Sequence, residues 1–234
     1  MKTGKMTNCL LLVFLIVTDS TKADFTLRGN EQLTFNWQTI NGYLYNTSRV
    51  FIVPNGHISY LRCYNYSTAN MSGGIAVRIN SYNYSTVNIS SGSVSILAAD
   101  DSSTINLSSG TVARIDTFGY STTNISGGNI SGNLYLNDYS NMNFFGGTFN
   151  GLLSNFYDFS TTTFHGKNFN CGSGLTLNGN RILGTGILSG QWLNGTTWSV
   201  NIMYNDPTAT ILIPEPATLL LFGFGAVMLR KKRL

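Results

Sequence analysis

Side-chain catalysis needs titratable, nucleophilic or metal-ligating groups gathered in one place, and this chain carries few of them. Its two histidines, His57 and His165, stand 108 positions apart. The same interval separates Cys63 from Cys171. No Cys/His spacing fits a zinc site and no acidic nonapeptide recurs for calcium, so neither a metal nor a cofactor is expected. Within the repeats, Asp100-Asp101 has Arg78, Arg114 and Asp116 nearby on adjacent units. Such a group could serve a polysaccharide lyase or hydrolase, and solvated loop charges are the simpler account. Triplets such as Asn88-Ile-Ser90 and Asn106-Leu-Ser108 read as glycosylation acceptors, yet they recur with a longer period.

That period organises the chain. Gly56, Gly74, Gly92, Gly110, Gly128 and Gly147 follow one another at intervals of 18, 18, 18, 18 and 19. Ahead of them lie Thr68-Ala-Asn-Met-Ser72, Thr86-Val-Asn-Ile-Ser90, Thr104-Ile-Asn-Leu-Ser108 and Thr122-Thr-Asn-Ile-Ser126, with a degenerate Asn141-Met-Asn-Phe-Phe145. Strict polar/apolar alternation with β-branched residues is the pattern of a strand with one buried face. Phe51, Ala69, Val87, Ile105, Thr123 and Met142 form one expected inward column, and Val53, Met71, Ile89, Leu107, Ile125 and Phe144 a second. After the glycine, Ile58, Ala76, Val94, Val112, Ile130 and Phe149, then Leu61, Ile79, Leu97 and Ile115, predict a further strand with a bend between the columns.

An 18-residue unit cannot bury its apolar side alone, whereas stacked copies build a continuous core and pair their backbones. The expected fold is all-β, a single-stranded parallel β-helix, right-handed by the crossover rule. A propeller blade would need about 40 residues, more than twice this period. Tyr66, Tyr84 and Tyr120 share a column interrupted by Ser102, and Tyr64, Tyr82 and Phe118 another interrupted by Asp100, so stacked rings beside a turn are predicted. Residues 24–50 read as an N-terminal cap, 51–169 as the repeat region, and 170–213 as irregular coils or a cap packed by Trp192 and Trp198.

Only 10% of the 234 residues are charged, which argues against a cytosolic enzyme, a coiled coil or a nucleic-acid binder. The net charge of +4 belongs to the ends, since residues 24–213 hold seven basic and eight acidic side chains. Nothing there could track a phosphate backbone.

Lys2 and Lys5 precede the apolar run 9–17, and Thr21-Lys22-Ala23 supplies small residues before a cut after Ala23. This is the tripartite pattern of a signal peptide over residues 1–23, whose helix is too short to span a bilayer. At the other end, Pro214-Glu215-Pro216 precedes an apolar helix over 217–229 and the basic residues Arg230-Lys-Lys-Arg233. Its thirteen residues reach roughly 20 Å, so it anchors only with snorkelling or local thinning. The basic tail then stays cytoplasmic and the body lies on the outer side of the membrane.

This tail resembles the PEP-CTERM sorting signal, through Ile213-Pro-Glu-Pro-Ala-Thr-Leu-Leu-Leu-Leu-Phe-Gly-Phe-Gly-Ala and the closing basic cluster. The resemblance implies that exosortase, a membrane enzyme, is the partner, that Pro214, Glu215 and Pro216 are recognition residues, and that the product reaches the envelope surface or an exopolysaccharide matrix. It implies nothing about the body.

The body resembles the solenoids of adhesins and autotransporters in its repeat. Thr86, Asn88, Ser90, Thr104, Asn106, Ser108, Thr122, Asn124 and Ser126 should form polar ladders on one flat sheet. Stacked hydroxyls and amides can bond each other, or the array can meet a carbohydrate or ice. Three functions are open: a non-enzymatic surface or matrix protein, a carbohydrate- or ice-binding module, and a polysaccharide-degrading enzyme.

Overall fold

A computed structural model describes residues 24–149 and 153–213. Among them every regular element is a strand and none is a helix. The chain winds as a β-solenoid of about eight turns, with successive coils one sequence period apart. The expected signal segment, Ala23, Pro214, Glu215, Pro216 and the 217–229 helix lie outside the described residues. Among the described residues, no helix is long and apolar enough to cross a membrane.

Each full coil contributes to three parallel sheets. The first sheet stacks Gln32–Phe35, Arg49–Ile52, the opening of Thr68–Ser81 and of Thr86–Ala99, then Thr104–Leu107, Thr122–Ile125, Asn141–Phe144, Thr161–Phe164 and Thr210–Leu212. Thr68, Thr86, Thr104 and Thr122 stand directly over one another. Layers about 4.8 Å apart make this stack roughly 40 Å tall. The second sheet is narrow, pairing His57 with Ile75 and Val94 with Val112. The third runs from Phe25–Leu27 through Leu134–Leu136 to Leu153–Phe156, and receives the end of Thr197–Asn205.

Glycine marks the turn from first to second sheet because the layer below occupies the space of a side chain. Gly92 has φ +99°, and a Cβ there would lie 2.7 Å from the Gly74 carbonyl oxygen; at Gly110, with φ +94°, it would lie 2.7 Å from that of Gly92. Between second and third sheets, pairing passes from Ile58–Ala76 to Tyr60–Arg78 and skips a residue. The skipped residue is the bend required by the spacing of the two inward columns. Third and first sheets are joined through a left-handed residue, Asn65, Asn83, Asp101 and Asp138 in successive coils, with Gly119 as the exception in side chain. Asn and Asp tolerate that conformation better than other non-glycine residues.

The core is one continuous column inside the coils, including Ile52, Met71, Ile89, Leu107, Ile125 and Phe144. One coil corrects the alignment on glycine. Val50 and Ile52, not Phe51 and Val53, are buried there, and Val50 pairs with Ala69. The loop Val53-Pro54-Asn55-Gly56 holds one residue more than its counterparts, which moves the strand back by one and turns every side chain over.

Residues 24–50 form the first coils in parallel register with those above. At the far end the chain leaves the parallel pattern. Gly166–Cys171, Gly186–Trp192 and the start of Thr197–Asn205 pair antiparallel, and a hairpin of Leu175–Asn178 with Arg181–Gly184 lies against Thr210–Leu212. Trp192 and Trp198, both buried, stack at 4.8 Å over Phe149, Phe164 and Phe169. The Trp192 indole N–H donates to the Gly147 carbonyl at 2.8 Å. The last parallel layer is thus covered by aromatic surface and paired backbone, which removes a free edge.

Candidate functional site

The polar face of the first sheet assembles from the alternation of its strands. Inward side chains pack the core, so Thr86, Asn88, Thr104, Asn106, Thr122 and Asn124 emerge in vertical columns, half-buried by their neighbours, with Ser90, Ser108 and Ser126 exposed. The structure brings all nine together. Their hydrogen bonds run along the rod: the Asn88 amide donates to Asn70 at 2.9 Å, Asn106 to Asn88 at 2.9 Å, Asn124 to Asn106 at 3.0 Å and Asn143 to Asn124 at 3.0 Å. The serines donate down to carbonyls, Ser90 to Met71 at 3.3 Å and Ser108 to Ile89 at 3.2 Å. Each interior amide therefore spends one donor and its acceptor on the layers beside it. A ladder of this kind holds layers in register, and a ligand on this face would compete with it.

The charged group is not convergent. The Arg114 guanidinium, on the third sheet, pairs with the nearly buried Asp116 carboxylate at 2.7 Å and lies over the Tyr135 ring at 4.4 Å. Its hydrogen bond to Asp116 raises an already high pKa. Arg78 donates to Asn80 at 2.8 Å, and Asn80 to the Tyr82 hydroxyl at 2.9 Å. Asp101 sits instead at the left-handed corner, where its Oδ2 accepts from the Asn83 backbone N–H at 3.0 Å and the Asn83 amide at 2.8 Å. His57 opens the second sheet, while His165, stacked on Phe145 at 4.2 Å, follows the first-sheet strand of a much later coil. Burial holds the His165 pKa below its usual value. Cys63 is buried, which pushes its thiol pKa far upward, and Cys171 is half-buried.

Two aromatic ladders stand beside the turn from third to first sheet. Tyr45, Tyr64 and Tyr82 stack at 5.1 and 5.0 Å, and Tyr66 stacks on Tyr84 at 5.3 Å. Above the interruption, Tyr120, Tyr139 and Phe159 stack at 5.2 Å each. The repeat made the columns visible and left their extension to Tyr139 and Phe159 unseen, because those later coils are longer than the period.

The structure adds an inward serine ladder that the sequence pattern did not reveal. Ser48, Ser67, Ser85, Ser103, Ser121, Ser140 and Ser160 are buried just before the first-sheet strand. Ser85 Oγ accepts the Tyr82 N–H at 3.0 Å, and Ser103 Oγ the Asp100 N–H at 3.1 Å. Ser85, Ser103 and Ser121 thus fold their hydroxyls back on the turn and are satisfied, whereas the buried Ser67 and Ser140 hydroxyls have no partner among the described residues. The signal was the constant phase of serine immediately ahead of the first-sheet strand, most often before threonine.

Residues 212–233 match the family of the PEP-CTERM protein-sorting motif. No curated protein and no solved structure matches the chain. The matched motif indicates an exported protein that is sorted through the membrane and processed by exosortase, with the β-solenoid as its body.

Proposed function

We propose that this chain is a non-enzymatic cargo protein, delivered by exosortase to the cell surface or its exopolysaccharide matrix, where the solenoid serves as a rigid spacer. One observation carries the reading: the sorting motif at 212–233 begins at the end of the last described strand, Thr210–Leu212, so in sequence the recognition triplet starts two residues beyond the rod. In this reading the signal segment is removed after Ala23. The 217–229 helix then holds the chain in the membrane with its basic end in the cytoplasm, and Pro214, Glu215 and Pro216 present the bond region to exosortase.

The structural employment of the charged groups supports a body without chemistry. Arg114 and Asp116 neutralise each other, and Asp101 braces a turn. The histidines belong to separate coils. A rod whose polar face is tied along its own axis suits the role of a stiff extension.

The test is fractionation of a host that carries an exosortase. The wild-type chain should appear at the surface or in the medium with a shortened C-terminus, and Glu215→Ala should accumulate at full length in the membrane fraction with an unchanged melting temperature. Wild-type sorting of Glu215→Ala, or of a chain lacking residues 214–234, would overturn the proposal.

A further inference from the structure

Both aromatic ladders are broken in the same coil. Asp100 and Ser102 replace the rings that Tyr82 and Tyr84 supply one layer below and Phe118 and Tyr120 supply one layer above. The backbone runs through without a gap, since Ser102 N–H donates to Asn83 and Tyr120 N–H to Asp101. In the column between the rings Gly119 packs directly on Asp101, where a Cβ would lie 2.9 Å from the Asp101 carbonyl oxygen, and its N–H donates to Asp138 Oδ2 at 3.1 Å. Tyr84 and Tyr120, which flank the missing rung, are 61% and 68% exposed, so the break is open to solvent.

We infer that this notch is a binding site for one neutral hexopyranose unit of a polysaccharide. Two layers separate the ring planes of Tyr84 and Tyr120, about 10 Å at the usual strand spacing. Carbon contacts of about 3.5–4.0 Å on each face leave space for one six-membered ring and not for two. Aromatic faces above and below suit the C–H faces of a sugar ring.

The turn that carries the missing rung supplies acceptors for sugar hydroxyls. Asp101 uses Oδ2 on Asn83, and no hydrogen bond within the described residues reaches its Oδ1. Asp100 uses Oδ1 on the Asp101 N–H and keeps Oδ2. Ser102 adds a hydroxyl at an exposed position. A partner's phenyl ring would fill the rung and bring these acceptors no donor, and a phenol brings one, whereas a sugar ring brings several hydroxyls, which favours the sugar. Two carboxylates also repel a uronic acid, so the polymer recognised here is uncharged.

The experiment is calorimetric titration of the detergent-solubilised full chain with cellohexaose, chitohexaose and a galacturonic hexamer. At least one neutral hexamer should bind saturably. Ser102→Tyr, which fills the missing rung, should weaken it by about tenfold or more with a melting temperature at or above wild type. Tyr84→Ala should weaken it comparably, and Tyr66→Ala, one layer away, should leave it within about twofold. Binding that Ser102→Tyr leaves unchanged, preference for the galacturonic hexamer, binding of aromatic peptides in place of sugars, or no heat from any hexamer would each overturn the site.

Discussion

Replacing Gly110 by alanine isolates the contact that sets the coil-to-coil distance. Gly110 has φ +94°, and the new Cβ would lie 2.7 Å from the Gly92 carbonyl oxygen. That oxygen belongs to a backbone layered against Gly74 below, so it cannot yield as a flexible side chain would. The dihedral alone costs about 1–2 kcal/mol for a residue with a Cβ. Relieving the contact requires the layers to part locally, which adds strain of about 1–3 kcal/mol. Together these make roughly 2–5 kcal/mol against the 5–15 kcal/mol that holds an ordinary domain.

For a body of this size each kcal/mol shifts the melting temperature by about 2–4 °C. Gly110→Ala should thus melt roughly 4–20 °C below wild type. Gly179→Ala is the matched control, because Gly179 has φ +61° and open space where its Cβ would go. It bears the dihedral cost without the carbonyl contact. Thermal unfolding of the three proteins followed by circular dichroism separates the two terms. If Gly110→Ala melts no lower than Gly179→Ala, stacking does not confine this turn and the account of the glycine column is wrong.

Ile89 is 1% exposed in the middle of the stack, so Ile89→Asp should abolish the cooperative melt, an unpaired buried carboxylate costing several kcal/mol; a normal transition would place that side chain outside. Arg114→Met leaves the nearly buried Asp116 carboxylate without its cation and, with the Arg114 side chain 45% exposed, should destabilise by about 1–2 kcal/mol, while Arg114→Met with Asp116→Leu recovers most of the loss, as a double-mutant cycle in urea would reveal. The native state protonates His165 less readily than the unfolded chain does, because burial lowers its pKa. Its contribution to stability is therefore complete above about pH 6.5 and declines as the pH falls from there through the lowered value. Melting curves at acidic and neutral pH should differ more for wild type than for His165→Phe, and equal differences would assign the pH response to other groups.

Threonine, asparagine and serine at fixed phase made the first sheet legible, because side chains that alternate along a strand and recur with every repeat have one economical arrangement. The bend before the third sheet was legible for the same reason. The register of Arg49–Ile52 was not, since alignment on Gly56 assumes a constant loop and the strand before it slipped by one residue. Nor was the serine ladder, because a hydroxyl reads as an outward group until its turn partner is known. Of the candidate site, the polar columns and the broken aromatic columns were visible as patterns. The direction of the amide hydrogen bonds was not.

Periodicity by itself determined that this chain stacks as a solenoid, and the motif at 212–233 indicates that it is exported and sorted. Both are local properties: a repeat specifies the same neighbour for every copy, and a sorting signal is read as a short linear stretch. Only the tertiary structure decided how the rod ends, because residues 166–205 lack the period and turn back on their neighbours in antiparallel hairpins that no repeat announces. It also decided which layers meet at the broken columns, since the backbone pairing sets the turn carrying Ser102 directly between those carrying Tyr84 and Tyr120.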